Sequence, residues 1–375
     1  MFDFYRKRIK ELDFILLIVI ACLLTISVII IDSATLHLST DLSRKQVLNI
    51  LVGTIVAIFL LRYDYELYKK YSRHLYILMI VGLTFVLFFA PEIKGARSWI
   101  VLPFFGNIQF SELCKIIYIV TYAKFLDERR FELEKIRDLL PHFLFLAPIV
   151  LLILLQPDLG TALVFVAIMF GMLIAAGANK VLMFSIFGGG TGAIIVWLLA
   201  HLRFDVWFPI KGYQLNRILV VLDKDFDVRG AGWNQLQSKI AIGNGGLWGK
   251  GLKEGTQSMG EFLPEQWTDF IFAVLSEEWG FIGAGLVILL LFIILYRGFK
   301  IAILSHDYYG SLIAAGIVTM YLFHILENIG MNMGLMPITG IPLPFISYGG
   351  SAMLANMIGI SFLQNIYINK EKVVF

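Results

Sequence analysis

The sequence predicts an all-α polytopic membrane protein, on three observations. Hydrophobic residues fill 58% of the 375 positions and charged residues only 16%, with a mean hydropathy of +0.79, a composition too apolar for a soluble globule. Ten stretches approach the roughly 20 apolar residues that a membrane-crossing helix needs. The Lys and Arg residues of the connecting segments fall mostly on one side, as they do in cytoplasmic loops.

The ten predicted transmembrane helices are residues 13–33, 46–62, 73–90, 108–126, 142–156, 159–177, 180–200, 266–296, 309–333 and 345–368. The first follows a charged stretch and has no small-residue cleavage site, so it reads as a retained helix and not a removed signal. The fifth and sixth almost run together through Gln156-Pro-Asp-Leu-Gly160. Within the seventh, Gly188-Gly-Gly-Thr-Gly192 lacks the lysine of a phosphate loop and reads as small residues for helix packing. One long loop, about 201–265, joins helices 7 and 8. It is ordered rather than a linker: Trp207, Trp233, Leu236, Ile240 and Trp248 supply apolar surface, and residues 232–242 have helical spacing. Pro337 to Gly350 joins the last two spans, and non-helical backbone at such depth is tolerated only against protein or water.

Orientation follows from the charges. With the N-terminus inside, the inner segments hold Arg6 to Lys10, Arg62, Lys69 to Arg73, Lys124 to Arg137, Lys180, Arg297, Lys300, Lys370 and Lys372. The short outer loops hold Arg44, Lys45, Lys94 and Arg97. Both termini are then cytoplasmic, the long loop is extracytoplasmic, and all seven tryptophans fall in the outer half, where aromatic residues favour the interface. Residues 1–375 read as one membrane domain.

Several functional classes drop out. The net charge of +3 belongs to the loops and gives no reason for a nucleic-acid partner. Cys22 and Cys114 both lie inside spans, so no outer disulfide is expected. The histidines show no zinc spacing, and Asp223-Lys-Asp225 reads as an exposed acidic turn. With no nucleotide-binding motif present, chemistry on the outer side needs a substrate that arrives activated, and a lipid diphosphate-linked sugar fits.

Candidate residues follow from cost. Ionisable groups at membrane depth face a cavity or a partner, and the run from Phe262 to Glu278 carries Asp269, Glu277 and Glu278 into a hydrophobic span. Asp269, at its mouth, is the better general base, while Glu277 and Glu278 brace the bundle. The competing reading has Thr268 or Asp269 capping the span. Lys115, buried in the fourth span, must pair with Glu112, Asp158 or a ligand, and a purely structural ion pair explains it equally well.

Six separated segments carry a resemblance. Lys94-Gly-Ala-Arg-Ser-Trp99, Ser111-Glu112 with Lys115, Gln156-Pro-Asp-Leu-Gly-Thr161, Gln237-Ser-Lys-Ile-Ala-Ile-Gly243, Leu263-Pro-Glu-Gln-Trp-Thr-Asp-Phe-Ile-Phe272 and Pro342-Leu-Pro-Phe-Ile-Ser-Tyr-Gly-Gly-Ser351 resemble the SEDS family (shape, elongation, division and sporulation) of peptidoglycan glycosyltransferases, over nearly the whole chain. The resemblance implies polymerisation of lipid II on the outer face of the bacterial cytoplasmic membrane, by inverting displacement of undecaprenyl diphosphate. Asp269 is then the catalytic base. Arg97, Trp99, Glu112, Lys115, Asp158, Thr161, Gln237, Ser238, Lys239 and Thr268 line the substrate site. It also implies a class B penicillin-binding protein as partner and a divalent cation (Mg2+ or Mn2+), with no nucleotide cofactor. Short tails favour the elongation branch over the division branch. Ser98 and Phe110 stand where many relatives have Arg and Pro. Two other readings remain: a lipid II flippase, and a scaffold that activates the penicillin-binding protein.

Overall fold

Asp13 opens the first helix by accepting the Leu16 N–H at 3.1 Å, satisfying one of the donors that a helix start leaves unpaired. The chain was studied as a computed structural model, which describes residues 11–36, 41–92, 97–102, 106–130, 133–207, 212–222 and 230–370. Their order is α1 (Phe14–Ala34), α2 (Leu42–Leu60), α3 (Glu66–Phe89), a hairpin of β1 (Trp99–Leu102) and β2 (Gly106–Gln109), α4 (Phe110–Glu128), α5 (Ile136–Leu155), α6 (Leu159–Ala175) and α7 (Lys180–Phe204). The long connection then holds α8 (Gly212–Leu222), α9 (Ala231–Asn244) and the single turn α10 (Thr256–Met259), before α11 (Ile271–Ile303), α12 (Tyr308–Asn332) and α13 (Gly350–Ile368).

Eight of these, α1, α2, α3, α5, α7, α11, α12 and α13, are long and apolar enough to cross a membrane. The protein is multi-pass. The sequence's sixth span is α6, an apolar helix of 17 residues. Its fourth is α4, which carries Glu112 and Lys115 and buries both against its neighbours. α12 is central, packing on α4, α6, α11 and α13, while α13 lies along α2 and α1 along α11.

The structure departs from the sequence expectations in four places. The fold is not purely helical, because β1 and β2 pair antiparallel, Trp99 opposite Gln109. Second, α11 is interrupted at Gly280 (φ 65°, ψ −166°), so the expected 266–296 span is two helical pieces and does not include Thr268 or Asp269. The loop before it fills the break: Lys250 and Gly251 donate to the carbonyls of Glu277 and Glu278 at 3.0 and 3.1 Å, and Phe281 and Ile282 donate to those of Gly246 and Leu247 at 2.8 and 3.2 Å. Third, the glycines of Gly188 to Gly192 pack on no other described part of the chain, since none has a described atom within 4 Å of where a side chain would start. Fourth, α9 is helical as expected, but Trp233, Leu236 and Ile240 face outward and Gln235, Ser238 and Ala241 pack inward.

Candidate active site

Asp269 sits in a turn held by its backbone. The Glu265 carbonyl accepts from the N–H groups of Thr268 at 3.0 Å and Asp269 at 3.1 Å. The Asp269 carbonyl accepts from the side-chain amides of Asn328 at 3.1 Å and Asn332 at 3.0 Å, both on α12. Ser347 donates its hydroxyl to the Thr268 carbonyl at 2.7 Å, Tyr348 its N–H to the Trp267 carbonyl at 2.9 Å, and Gln266 its amide to the Ala34 carbonyl at 2.7 Å. Three parts of the fold thus fix the main chain around a half-buried carboxylate. Helix α11 begins at Ile271 with Phe270 as its first flanking residue and no side-chain cap. Neither Thr268 nor Asp269 caps a span, and the competing reading falls.

The broken segment before α13 forms the wall beside this carboxylate. Gly340 has φ +77°, and a β-carbon there would lie 3.4 Å from an Asp269 carboxylate oxygen. On the other flank, a β-carbon on Gly160 would come 2.9 Å from the Thr339 carbonyl, a distance that admits only glycine. The two non-helical segments that the sequence singles out therefore meet next to Asp269.

Asp158 begins α6 by accepting the Thr161 N–H at 3.0 Å and hydroxyl at 2.8 Å, and it also takes the Gln109 amide at 2.9 Å. Gln109 in turn donates its N–H to the Ser351 hydroxyl at 2.8 Å, so β2, α6 and α13 share one polar junction.

Lys115 and Glu112 lie deeper, at 2.7 Å from each other and nearly without exposure. The Lys115 ammonium is also 3.0 Å from His324 Nε2 on α12. Of the partners open to Lys115 in sequence, Glu112 is the one in contact. From the long connection, the Ser238 hydroxyl is 2.9 Å from the Asn332 carbonyl. The Lys239 stem runs over Gly334, where a β-carbon would lie 3.0 Å from it. Gln237 is buried on the same helix. Arg217 and Gln235 donate to the carbonyls of Ile338 and Met336 at 3.0 and 3.2 Å, which holds the far side of the wall segment.

Asp269, Thr268, Ser238, Lys239, Asp158 and Thr161 are therefore brought around the same segments, with Glu112 and Lys115 one layer below. Arg97 is not: its side chain is 54% exposed, 3.6 Å from Glu92. Trp99 pairs with Gln109 across the hairpin, next to the Asp158 junction. Ser98 is buried, and Phe110 lays its ring on Gly82 of α3. Glu278 braces the bundle as expected, whereas Glu277 holds the long connection. Glu277 accepts from the N–H groups of Gln257 at 2.9 Å and Ser258 at 3.2 Å, and Glu278 accepts the Ser33 hydroxyl. Lys94 and the acidic turn at Asp223 and Asp225 lie outside the described residues.

Sequence reasoning missed His324, Glu327, Asn328 and Asn332. Their signal was polar residues at i, i+3, i+4 and i+8 in an otherwise apolar span, which is one face of a helix.

Fold and site define a multi-pass membrane protein whose polar, carboxylate-bearing centre lies at one end of its helix bundle. Comparison with known proteins places it. A family profile described as Cell cycle protein, covering FtsW, RodA and SpoVE, matches residues 11–372. A probable peptidoglycan glycosyltransferase FtsW from Trichlorobacter lovleyi is 35% identical, over 98% of this chain and 96% of its own. The peptidoglycan glycosyltransferase RodA of Treponema pallidum is 32% identical, over 96% and 98%. A solved structure described as the structural coordination of polymerization and crosslinking by a peptidoglycan synthase complex superposes with a TM-score of 0.79 at 29% identity, over 96% of this chain and 98% of that one. The chain belongs to the FtsW/RodA/SpoVE family, the SEDS family that its motifs resemble.

Proposed function

We propose that this chain is a peptidoglycan glycosyltransferase that polymerises lipid II, with Asp269 as its general base. The observation that carries the reading is the placement of Asp269: a half-buried carboxylate on a turn pinned by α12 and by Ser347 and Tyr348, lying against a glycine. Such a group takes the proton from the sugar 4-hydroxyl of the acceptor. The resulting oxygen attacks the anomeric carbon of the donor, the bond to the diphosphate breaks, and undecaprenyl diphosphate leaves with inversion. One base and one displacement suffice.

The remaining site residues take supporting roles. Lys239 supplies a cation for the diphosphate. Thr268, Gln237, Ser238, Asp158 and Thr161 shape the walls, and the Glu112 and Lys115 pair sets the charge beneath. Arg97 and Trp99 meet substrate at the periphery. The divalent cation implied by the resemblance finds no cluster of three His, Cys, Asp or Glu side chains among the described residues.

The reading extends to topology and context. The ten spans, counting α4 and α6, form one membrane domain with both termini in the cytoplasm and the long connection outside, in the bacterial cytoplasmic membrane. Supporting this are the eight long apolar helices and the Lys and Arg bias of the loops. The partner is a class B penicillin-binding protein that cross-links the new strand, and the similarity to a synthase complex supports it. Within the family, the role is wall elongation, so depletion in a rod-shaped host gives rounded cells and not filaments. The enzymatic reading is tested with purified lipid II, the chain and its partner carrying an inactive transpeptidase site. Glycan polymer is expected, while lipid II movement across a bilayer without polymer would make the chain a flippase.

A further inference from the structure

Glu327 is a buried carboxyl that the proposed reaction does not use. It is 4% exposed on α12, in an apolar span where an acid is costly to keep. Its carboxylate accepts the Thr339 hydroxyl at 2.8 Å. The next residue, Asn328, donates to the Ile341 carbonyl at 2.9 Å. One turn of α12 therefore grips the residues on both sides of Gly340, the glycine that lies against the Asp269 carboxylate. From the opposite side, Gly160 presses on the Thr339 carbonyl.

We propose that Glu327 is a positioning residue for Asp269: through Thr339 it fixes the Gly340 backbone against which the Asp269 carboxylate rests. This rests on the reading of Asp269 as the base. Residues 338–342 belong to no helix or strand, so no ladder of their own holds them in place. The Glu327 side chain gives Thr339 an acceptor on α12 at hydrogen-bond distance, and that bond ties the stretch of backbone at Gly340 to a helix. An apolar residue at 327 would fill the space and leave the Thr339 hydroxyl unpaired.

The test is a set of steady-state polymerisation measurements on the full chain with its partner, using purified lipid II. Glu327→Leu and Thr339→Val are each expected to lower kcat about tenfold while KM stays within about twofold, the pattern of a misplaced catalytic group. Glu327→Gln and Thr339→Ser keep an acceptor and a donor, and both are expected to retain kcat within about twofold. The double variant Glu327→Leu with Thr339→Val is expected to be no slower than either single one, because both remove the same bond. Wild-type kcat from Glu327→Leu, or multiplying losses in the double variant, would overturn the proposal. So would a common fall in kcat and thermal stability across all four single variants, which marks a merely structural role. Asp269→Asn assayed alongside separates the two readings. Polymer from that variant removes the base, whereas full activity from Glu327→Leu beside an inactive Asp269→Asn removes only the clamp.

Discussion

At the residue scale, the site is built from main-chain carbonyls held by side-chain amides. Asn328 serves the carbonyls of both Asp269 and Ile341, and a buried carbonyl left without its donor costs about 1–3 kcal/mol. Asn332 still serves the Asp269 carbonyl, so Asn328→Leu strands the Ile341 carbonyl and should lower stability by about 1–3 kcal/mol and slow polymerisation as well, read by thermal unfolding and by polymer yield. The Glu112 and Lys115 pair gives a second prediction. Removing one partner of a dry ion pair strands the other charge, at a cost of about 3–5 kcal/mol. Lys115→Met should be strongly destabilised, and adding Glu112→Gln should recover most of the loss in a denaturation series.

At the element scale, the break in α11 links the long connection to the bundle. Gly280 and Gly249 lie back to back: a β-carbon on Gly280 would come 2.3 Å from the Gly249 nitrogen, and one on Gly249 would come 2.1 Å from the Glu278 carbonyl oxygen. Gly280→Ala is expected to destabilise by more than about 2 kcal/mol, because it adds both a clash and a left-handed φ. Gly285→Ala, five residues on, faces open space in regular helix and should be neutral or slightly stabilising, by at most about 1 kcal/mol.

This element also shows what the sequence made legible. A helix lies over each apolar run that hydropathy picked out, with ends that differ by up to seven residues, because burial in lipid demands an apolar run whatever the packing. Hydropathy could not see the interruption at Gly280, since Trp279, Gly280 and Phe281 suit a continuous helix and only the docked loop makes the break. Asp269 and Lys115 drew notice in the sequence by their cost in an apolar run. Asn328 and Asn332 did not, because an uncharged amide in a span draws little notice until its carbonyl partners appear. The outward face of α9 was misjudged for a related reason: spacing identifies a face without saying which way it points.

At the scale of the whole molecule, α12 joins the Asp269 end of the bundle to its opposite end. There a separate clamp holds the first helix: Arg297 on α11 pairs with Asp13 at 2.7 Å, and Gln364 on α13 exchanges two hydrogen bonds with the Asp13 backbone, at 2.9 and 3.1 Å. Arg297→Gln should lower stability by about 3 kcal/mol, since Asp13 then stays buried without its cation. Polymer made per folded molecule should not change, because none of these groups approaches Asp269. A loss of specific activity would mean that the two ends are coupled.

The central claim is that the Asp269 carboxylate moves the proton. The measurement that tests it most directly is the rate of glycan polymerisation from purified lipid II by Asp269→Asn against the wild type, with thermal unfolding confirming that both are folded. Asparagine keeps the size and the backbone contacts but cannot accept the proton, so a loss of at least about a hundredfold is predicted. Polymerisation at the wild-type rate by a folded Asp269→Asn protein would contradict the account.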